Sequence, residues 1–139
     1  MAVETLMDKP LHITVITPAR AVFDADAKAL VVPAFDGELG VLPGHAAMLA
    51  LLGTGELRVT STDDTVKHLA IRGGFLQVDR NKVTILTPES ASPADVKPDV
   101  LQAEAQKLSA EKVVKLEDHD AQDIKRSWLK ARQKLLNSK

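Results

Sequence analysis

The stretch GELRVTSTDDTVKHLAIRGGFLQVDRNKVTIL, residues 55–86, carries the pattern that decides the fold. Residues 56–60 alternate between polar and apolar side chains, a period of two that is typical of a half-buried strand. Asp63-Asp64 then indicates a hairpin tip, and residues 66–72 form the returning strand. This part of the chain therefore predicts paired β-strands.

The pattern continues to the end of the stretch. Gly73-Gly74 indicates a bulge or corner, because glycine inside a strand pattern marks a break in its regularity. Residues 75–78 and 83–86 are two further apolar strands, and residues 79–82 between them are expected to form a four-residue hairpin loop.

The residues before this stretch have the same character. Residues 11–17 are rich in β-branched side chains, and residues 28–33 repeat that composition. Turn residues separate the segments, and Gly53-Thr54-Gly55 is expected to be one such turn. About eight to ten short strands in this part of the chain predict an all-β sandwich or barrel.

The composition changes after Ser92-Pro93, where valine and threonine give way to good helix formers. Pro98 and Asp99 suit the first turn of a helix. Residues 117–120 are expected to contain the N-cap of a second helix. The first helix has apolar positions at helical spacing, and the second has one continuous apolar stripe; these positions are Leu101, Ala105 and Leu108, then Ala121, Ile124, Trp128, Ala131 and Leu135. We therefore expect a β-sandwich domain at residues 1–90 and a two-helix αα-hairpin at residues 91–139.

Composition limits the possible functions. Apolar residues make up 45% of the 139 residues and charged residues 27%, so the chain can bury a core. The net charge of −1 makes nucleic acid a poor candidate partner. There is no cysteine, which excludes disulfides and thiolate metal sites. The longest apolar run, residues 46–52, is too short to cross a bilayer, so we expect any membrane association to come through a protein partner.

The sequence offers no catalytic or metal-binding constellation. No glycine-rich loop is followed by the lysine and hydroxyl residue of a phosphate site. The four histidines are scattered, and none pairs with another at a metal-ligand spacing. His45, which follows Pro43-Gly44, lies in a special setting, but a turn histidine is more often a hydrogen-bonded surface residue than a catalyst. No serine lies in a nucleophile turn. We expect no catalytic residue, no metal site and no enzyme activity of the chain's own.

One motif points to a family. Residues 37–46, GELGVLPGHA, resemble the Gly-Glu-Leu-Gly-x-x-Pro-Gly-His-Ala signature of the epsilon subunits of F-type ATP synthases. Residues 11–18 resemble the opening strand of that family. Gly73-Gly74 with the four residues after it, and residues 83–86, resemble two later strands.

The resemblance implies both a fold and a role. Members of the family form a flattened ten-stranded β-sandwich that binds the gamma subunit and rests on the ring of c subunits, where it turns as part of the rotor. Their helical hairpin either folds against the sandwich or extends into the alpha/beta head and blocks ATP hydrolysis. A bacterial member would lie on the cytoplasmic face of the inner membrane, held there by the complex that couples proton transport to ATP synthesis.

The resemblance also assigns contact residues. Glu38 matches an acid that meets the polar loop of the c ring, while His45, Ala46 and Leu49 match positions that pack on gamma. Simpler roles stand beside these: Glu38 as an ordinary surface acid, Leu49 as core, and the motif's glycines as turn residues. However, the run at residues 48–52 is apolar on both faces, which indicates that a partner buries one of them.

The second helix has an ordered charge pattern. Its acidic residues come first, and the basic residues Lys125, Arg126, Lys130, Arg132 and Lys134 follow with no acid among them. The helix dipole favours this order in any helix. A basic tip also suits an arm that meets acidic loops of the beta subunits, as the resemblance implies for a regulatory helix.

Some members of the family bind ATP on the folded hairpin through an Ile/Leu-Asp-x-x-Arg-Ala motif. The corresponding residues here are 98–103, in which Asp99 keeps the acid but Gln102 stands in place of the arginine. Glutamine cannot form the cationic fork that arginine offers a phosphate. We therefore expect no cofactor and only a remnant of the ATP motif.

Two other classes of function compete with this interpretation. In the first, the chain is a stand-alone β-sandwich binding module that dimerises through the apolar stripe of its second helix. In the second, it is a small hydrolase that uses His45 and a nearby acid, although neither a nucleophile nor an oxyanion loop can be named for it.

Overall fold

A computed structural model describes the backbone of residues 6–110 and 116–137, and the side chains of residues 7–109 and 123–136. Seven strands form one sheet within these residues. In chain order they are β1 (Leu11–Ile16), β2 (Ala21–Ala34), β3 (Gly37–Val41), β4 (Met48–Ser61), β5 (Val66–Asp79), β6 (Lys82–Leu86) and β7 (Ser90–Ala91). Two helices follow, α1 (Pro98–Ala110) and α2 (Leu116–Asn137).

The strands follow the order β1-β6-β5-β4-β2-β3, and a further pairing of β1 with β2 closes the sheet on itself. The closed sheet is flattened into a sandwich, so the predicted β-sandwich is confirmed. One layer holds β1, β6, the end of β5 and the start of β4. The other holds β3, the end of β2, the second half of β4 and the first half of β5.

The strands are fewer and longer than the sequence predicts. β2, β4 and β5 each have 14 residues, because each passes from one layer into the other. The expected turn at Gly53-Thr54-Gly55 is therefore wrong: these residues lie inside β4, where Thr54 and Gly55 pair with Arg72 and Ile71 of β5. On β5, Gly73 and Gly74 have φ of +70° and +121°, values that glycine adopts without a Cβ penalty.

The two predicted hairpins are present with one change of length. The tip at Asp63-Asp64 connects β4 to β5, with Asp64 at φ of +70°. The second loop is shorter than the expected four residues, because Asp79 and Lys82 already pair across it. Arg80 and Asn81 alone form the turn, with φ of +50° and +65°, as a two-residue type I′ hairpin requires.

Aliphatic side chains from both layers fill the sandwich. Leu57 and Val59 of β4 and Ile71 and Leu76 of β5 are completely buried and pack with similar residues of β1, β2 and β6. Burying a side chain of this size contributes about 1.5–3 kcal/mol. Alternate residues along each strand therefore face this core, as the period of two predicts.

The hairpin folds back onto the sandwich. A second apolar cluster joins the sheet to both helices; its buried members are Ala70, Ala91, Val96, Leu101, Leu129, Ala131 and Leu135. α2 lies against β4 and β5. No helix in the described part of the chain is long and apolar enough to cross a membrane.

The helices differ from expectation in two details. α2 is already helical at Leu116, so the expected N-cap within residues 117–120 is wrong. The buried side of α2 includes Leu129, which the predicted stripe omits, whereas Ile124 of that stripe is 44% exposed. The side chain of Ala121 lies outside the described residues.

Candidate docking surface

Three apolar side chains form a row on the outer face of the sandwich. Leu51 of β4 pairs with Phe75 of β5, and Phe75 pairs with Leu86 of β6. Their exposures are 50%, 52% and 49%, while their neighbours along the strands point into the core. We call Leu51, Phe75 and Leu86 the apolar row. Strand pairing fixes its geometry, so it is a rigid surface.

Two further side chains extend the apolar row. Leu49, two residues before Leu51 on the same face of β4, is 72% exposed. Phe35, in the β2–β3 turn, is 77% exposed, and its backbone N–H donates to the carbonyl of Leu51 at 3.0 Å. Exposed apolar side chains grouped in this way are typical of a surface that binds another molecule.

A groove runs from the apolar row towards the hairpin. It has a volume of about 560 Å³, and its lining includes Phe35 and Leu51 on the sheet side and Ile124 and Ser127 on α2. The exposure of Ile124 is therefore continuous with the apolar surface of the sheet. The folded position of α2 forms one wall of this groove.

The loop of residues 42–47 connects β3 to β4 beside this surface. Its turn is closed by the His45 N–H, which donates to the carbonyl of Leu42 at 3.1 Å. The ring Nδ1 of His45 lies 2.8 Å from the carbonyl of Ala46 and donates to it. His45 is half-buried and Ala46 exposed. Of the predicted partner contacts, His45 and Ala46 thus lie in this loop, and Leu49 is the second residue of β4, which follows it.

Glu38 has a different setting. It lies on β3, exposed, and its carboxylate accepts a hydrogen bond of 2.7 Å from the guanidinium of Arg58 on β4. β3 belongs to the second layer of the sandwich, whereas Leu49 belongs to the first. One carboxylate oxygen of Glu38 is thus bonded to Arg58, while 63% of the side chain is exposed to solvent.

An ion pair joins the two helices. The guanidinium of Arg132 on α2 binds both carboxylate oxygens of Glu104 on α1 and lies 5.0 Å from the ring centre of Trp128. These three residues line a cleft of about 380 Å³ together with Arg72, Glu89, Lys107, Leu108 and Lys125. The other predicted regulatory residues, Lys125, Arg126, Lys130 and Lys134, are exposed along α2.

The residues expected as a remnant of an ATP motif lie elsewhere. Asp99 and Gln102 are exposed on α1, and the cleft between the helices is lined by other side chains. In the described part of the chain, no group of three or more histidines and acids is placed to hold a metal ion.

Two histidines make contacts with carboxylates that the sequence did not predict. His12 on β1 lies between two carboxylates of β2, 2.5 Å from Asp24 and 2.7 Å from Asp26, and these raise its pKa above 6.5, Asp26 most strongly. His68 on β5 pairs with Glu56 on β4 at 2.9 Å. Only the strand register shows these contacts, since the partners are 12 to 14 residues apart.

The rival interpretations lose support. Ala131 and Leu135 of the stripe proposed for dimerisation are covered by the chain's own sandwich, so the seam would require the hairpin to leave it. The hydrogen bond that the His45 ring makes is with the carbonyl of Ala46, in an open loop, and no nucleophile is hydrogen-bonded to the ring among the described residues.

Comparison with known proteins agrees with the motif. Residues 10–93 match a family model described as "ATP synthase, Delta/Epsilon chain, beta-sandwich domain". The chain is 39% identical over 106 residues to the ATP synthase epsilon chain of Pelotomaculum thermopropionicum, covering 76% of this chain and 77% of that relative. It is 36% identical over 122 residues to the epsilon chain of Halalkalibacterium halodurans, with 88% and 90% covered.

Solved structures share the fold. A chain in the mitochondrial ATP synthase of Euglena gracilis superposes with a TM-score of 0.81 at 19% identity, covering 98% of this chain and 86% of that one. One in the central stalk and c-ring structure from Tetrahymena thermophila has a TM-score of 0.66 at 17% identity, with 89% and 94% covered. With the family match over residues 10–93, the chain belongs to the delta/epsilon chain family of ATP synthase subunits.

Proposed function

We propose that this chain is the epsilon subunit of a proton-translocating F-type ATP synthase and a non-catalytic part of its rotor. In this role the sandwich couples the gamma subunit to the ring of c subunits. The C-terminal helices inhibit ATP hydrolysis. Relatives named as epsilon chains and a structural neighbour from a central stalk support the assignment.

The observation that carries the rotor role is the apolar row with Leu49 and Phe35 beside it. A surface with this much apolar exposure gains free energy when a partner covers it. The gamma subunit is the proposed occupant, and His45, Ala46 and Leu49 are its proposed contacts. Glu38 lies on a separate strand and is the proposed contact for the c ring. All the proposed contacts with gamma and the c ring lie within residues 1–90, which we therefore regard as the docking domain.

Capture by the enzyme tests gamma docking. Phe75→Asp places a charge in the centre of the apolar row and should weaken capture by ATP synthase depleted of this subunit about ten- to a hundredfold. Val66→Asp is the matched control, because Val66 is 47% exposed but lies at the β4–β5 hairpin. Equal capture of both variants would contradict docking through the row.

The regulatory role belongs to residues 91–139. In the folded hairpin Arg126, Lys130 and Lys134 are exposed, Lys125 lines the cleft between the helices, and Arg132 is half-buried against Glu104. An extended hairpin would carry these cations to the acidic loops of the alpha/beta head. The folded position would then store the arm away from its target.

Hydrolysis by the reassembled enzyme tests inhibition. A chain that ends at Ala91 should raise ATP hydrolysis, and Gln substitution of Arg126, Lys130 and Lys134 together should raise it in part. Gln substitution of the three sandwich lysines Lys28, Lys67 and Lys82 removes the same charge elsewhere and should leave the rate unchanged. An unchanged rate in the truncated enzyme would overturn the regulatory role.

We further propose that the subunit is peripheral on the cytoplasmic face of the bacterial inner membrane, held by the complex, and carries no cofactor. Relatives from bacteria support that location. Membrane vesicles should retain the subunit after salt washing and lose it when the F1 portion is stripped. Retention after stripping would contradict attachment through the complex.

A further inference from the structure

Asn81 occupies the second position of the two-residue β5–β6 turn, at φ of +65°. Asparagine is favoured there because it tolerates the left-handed conformation. The turn explains its backbone but not its burial. Asn81 is only 5% exposed, whereas Arg80, its neighbour in the same turn, is exposed.

The side chain of Asn81 reaches out of its own hairpin in two directions. Its Oδ1 accepts the backbone N–H of Gly44 at 2.8 Å, and its Nδ2 donates to the carbonyl of Lys9 at 3.2 Å. One partner is a donor and the other an acceptor, so the orientation of the amide is determined. Its backbone carbonyl also accepts the N–H of His12 at 2.8 Å. Asn81 thus connects its own hairpin to residues 9–12 and to the loop of residues 42–47.

Gly44 is the residue through which these hydrogen bonds reach the docking surface. It has φ of +86°, and a Cβ added to it would lie 2.6 Å from Cγ of Met7. The loop of residues 42–47 therefore packs closely against the turn that precedes β1. His45 and Ala46 follow Gly44 directly, in a stretch without strand pairing. An anchor at Gly44 consequently sets where these two side chains point.

We propose that Asn81 is the positioning residue of the docking surface, holding residues 42–47 in the conformation that the partner binds. The inference rests on the proposed function, because the partner is the gamma subunit. Asn81 does not contact gamma itself; it acts through the Gly44 N–H. A buried amide with both its polar ends bonded resists movement, since each lost bond leaves a polar group unpaired.

Asn81→Gly tests the anchor in the full-length chain, because glycine keeps the turn and removes the amide. Amide exchange at Gly44, followed by NMR, should become about tenfold faster, and capture by the depleted enzyme should weaken about fivefold. Arg80→Gly is the matched control: it makes the same change at the exposed position of the same turn and should alter both values less than about twofold.

Asn81→Asp provides a rescue. Its carboxylate still accepts the Gly44 N–H but, when ionised, cannot donate to Lys9. Because the Gly44 N–H keeps its acceptor while the Lys9 carbonyl loses its donor, exchange at Gly44 should be slower and capture tighter than in Asn81→Gly, which a merely destabilised fold would not produce. Unchanged exchange in Asn81→Gly, or faster exchange with normal capture, overturns the proposal. Normal capture of Phe75→Asp would instead show that the proposed function has failed, and this result separates the two.

Discussion

The guanidinium of Arg132 and the carboxylate of Glu104 form a two-pronged ion pair between α2 and α1, with Nη1 3.2 Å from Oε1. Arg132 is 15% exposed and also stacks near Trp128, so its charge is only partly screened by water. The pair connects residues 28 positions apart and fixes how the two helices lie against each other.

This geometry predicts measurable coupling. A double-mutant cycle with Arg132→Gln and Glu104→Gln should give a coupling free energy of about 1 kcal/mol, the upper end for exposed pairs, because the bond is bidentate and half-buried. Urea unfolding measures it. The control cycle uses Arg72 and Glu89, which are paired at 3.1 Å but more exposed, and should give about 0–0.5 kcal/mol. Equal values for the two cycles would rule out a special role for Arg132.

A second prediction concerns the crossing of β5 between layers. Gly74 has φ of +121°, and a Cβ there would overlap the backbone carbonyl of Leu86. Gly74→Ala should therefore lower the free energy of unfolding by about 2–4 kcal/mol, from strain and steric overlap combined.

Gly40→Ala is the control for that measurement. Gly40 has an ordinary φ, and the space that a Cβ would occupy there is open. Gly40→Ala should therefore change the free energy of unfolding of the protein by less than about 1 kcal/mol. If Gly74→Ala lowered the free energy of unfolding no more than Gly40→Ala does, the backbone of β5 would have to shift at the crossing to make room for the added Cβ.

The sequence predicted the fold class correctly but not the positions at which the strands begin and end. The period of two in residues 55–86 and the helix formers after Ser92-Pro93 correctly predicted a sandwich and a hairpin. Gly53 and Gly55 were misread as a turn because glycine marks both turns and bends within a strand. Which of these forms depends on whether the partner strand continues past the glycine, and local sequence does not contain that information.

The candidate site shows the same limit. Leu49 was assigned by the resemblance to the epsilon family, and the apolar run at residues 48–52 supported a partner at that segment. Phe75 and Leu86 joined it only once the strand register was known. Asn81 and Gly44 are 37 residues apart, and no local pattern links them. Short-range signals therefore found single strands of the surface, whereas long-range pairing assembled it.

A third prediction is a pH dependence at His12. Its pKa is raised above 6.5 because the protonated ring is stabilised by Asp26 and Asp24. The stabilisation is therefore fully present below about pH 6.5 and is lost as the pH rises through the raised folded-state pKa. The Tm values of the native chain and of His12→Gln should differ most at about pH 5.5, and they should converge above the folded-state pKa of His12.

NMR titration of the His12 ring provides the direct check. Asp26→Asn should lower the pKa of His12 more than Asp24→Asn does, because the hydrogen bond to Asp26 is the largest cause of the shift. The effect on stability is modest, since the side chain is 48% exposed to solvent. A native pKa at or below 6.5 would contradict the pairing.

The last prediction concerns ATP. Asp99 and Gln102 are both exposed on α1, and neither position supplies a cation for a phosphate. Titration of the isolated subunit with ATP in a calorimeter should therefore show no saturable heat at about micromolar concentrations. Gln102→Arg restores the missing guanidinium and should bind ATP more tightly than the native chain, because charge-assisted bonds to phosphate are stronger than amide ones. Micromolar binding by the native chain would mean that other cations hold the nucleotide, and the cleft lined by Lys107, Lys125 and Arg132 would be the place to substitute first.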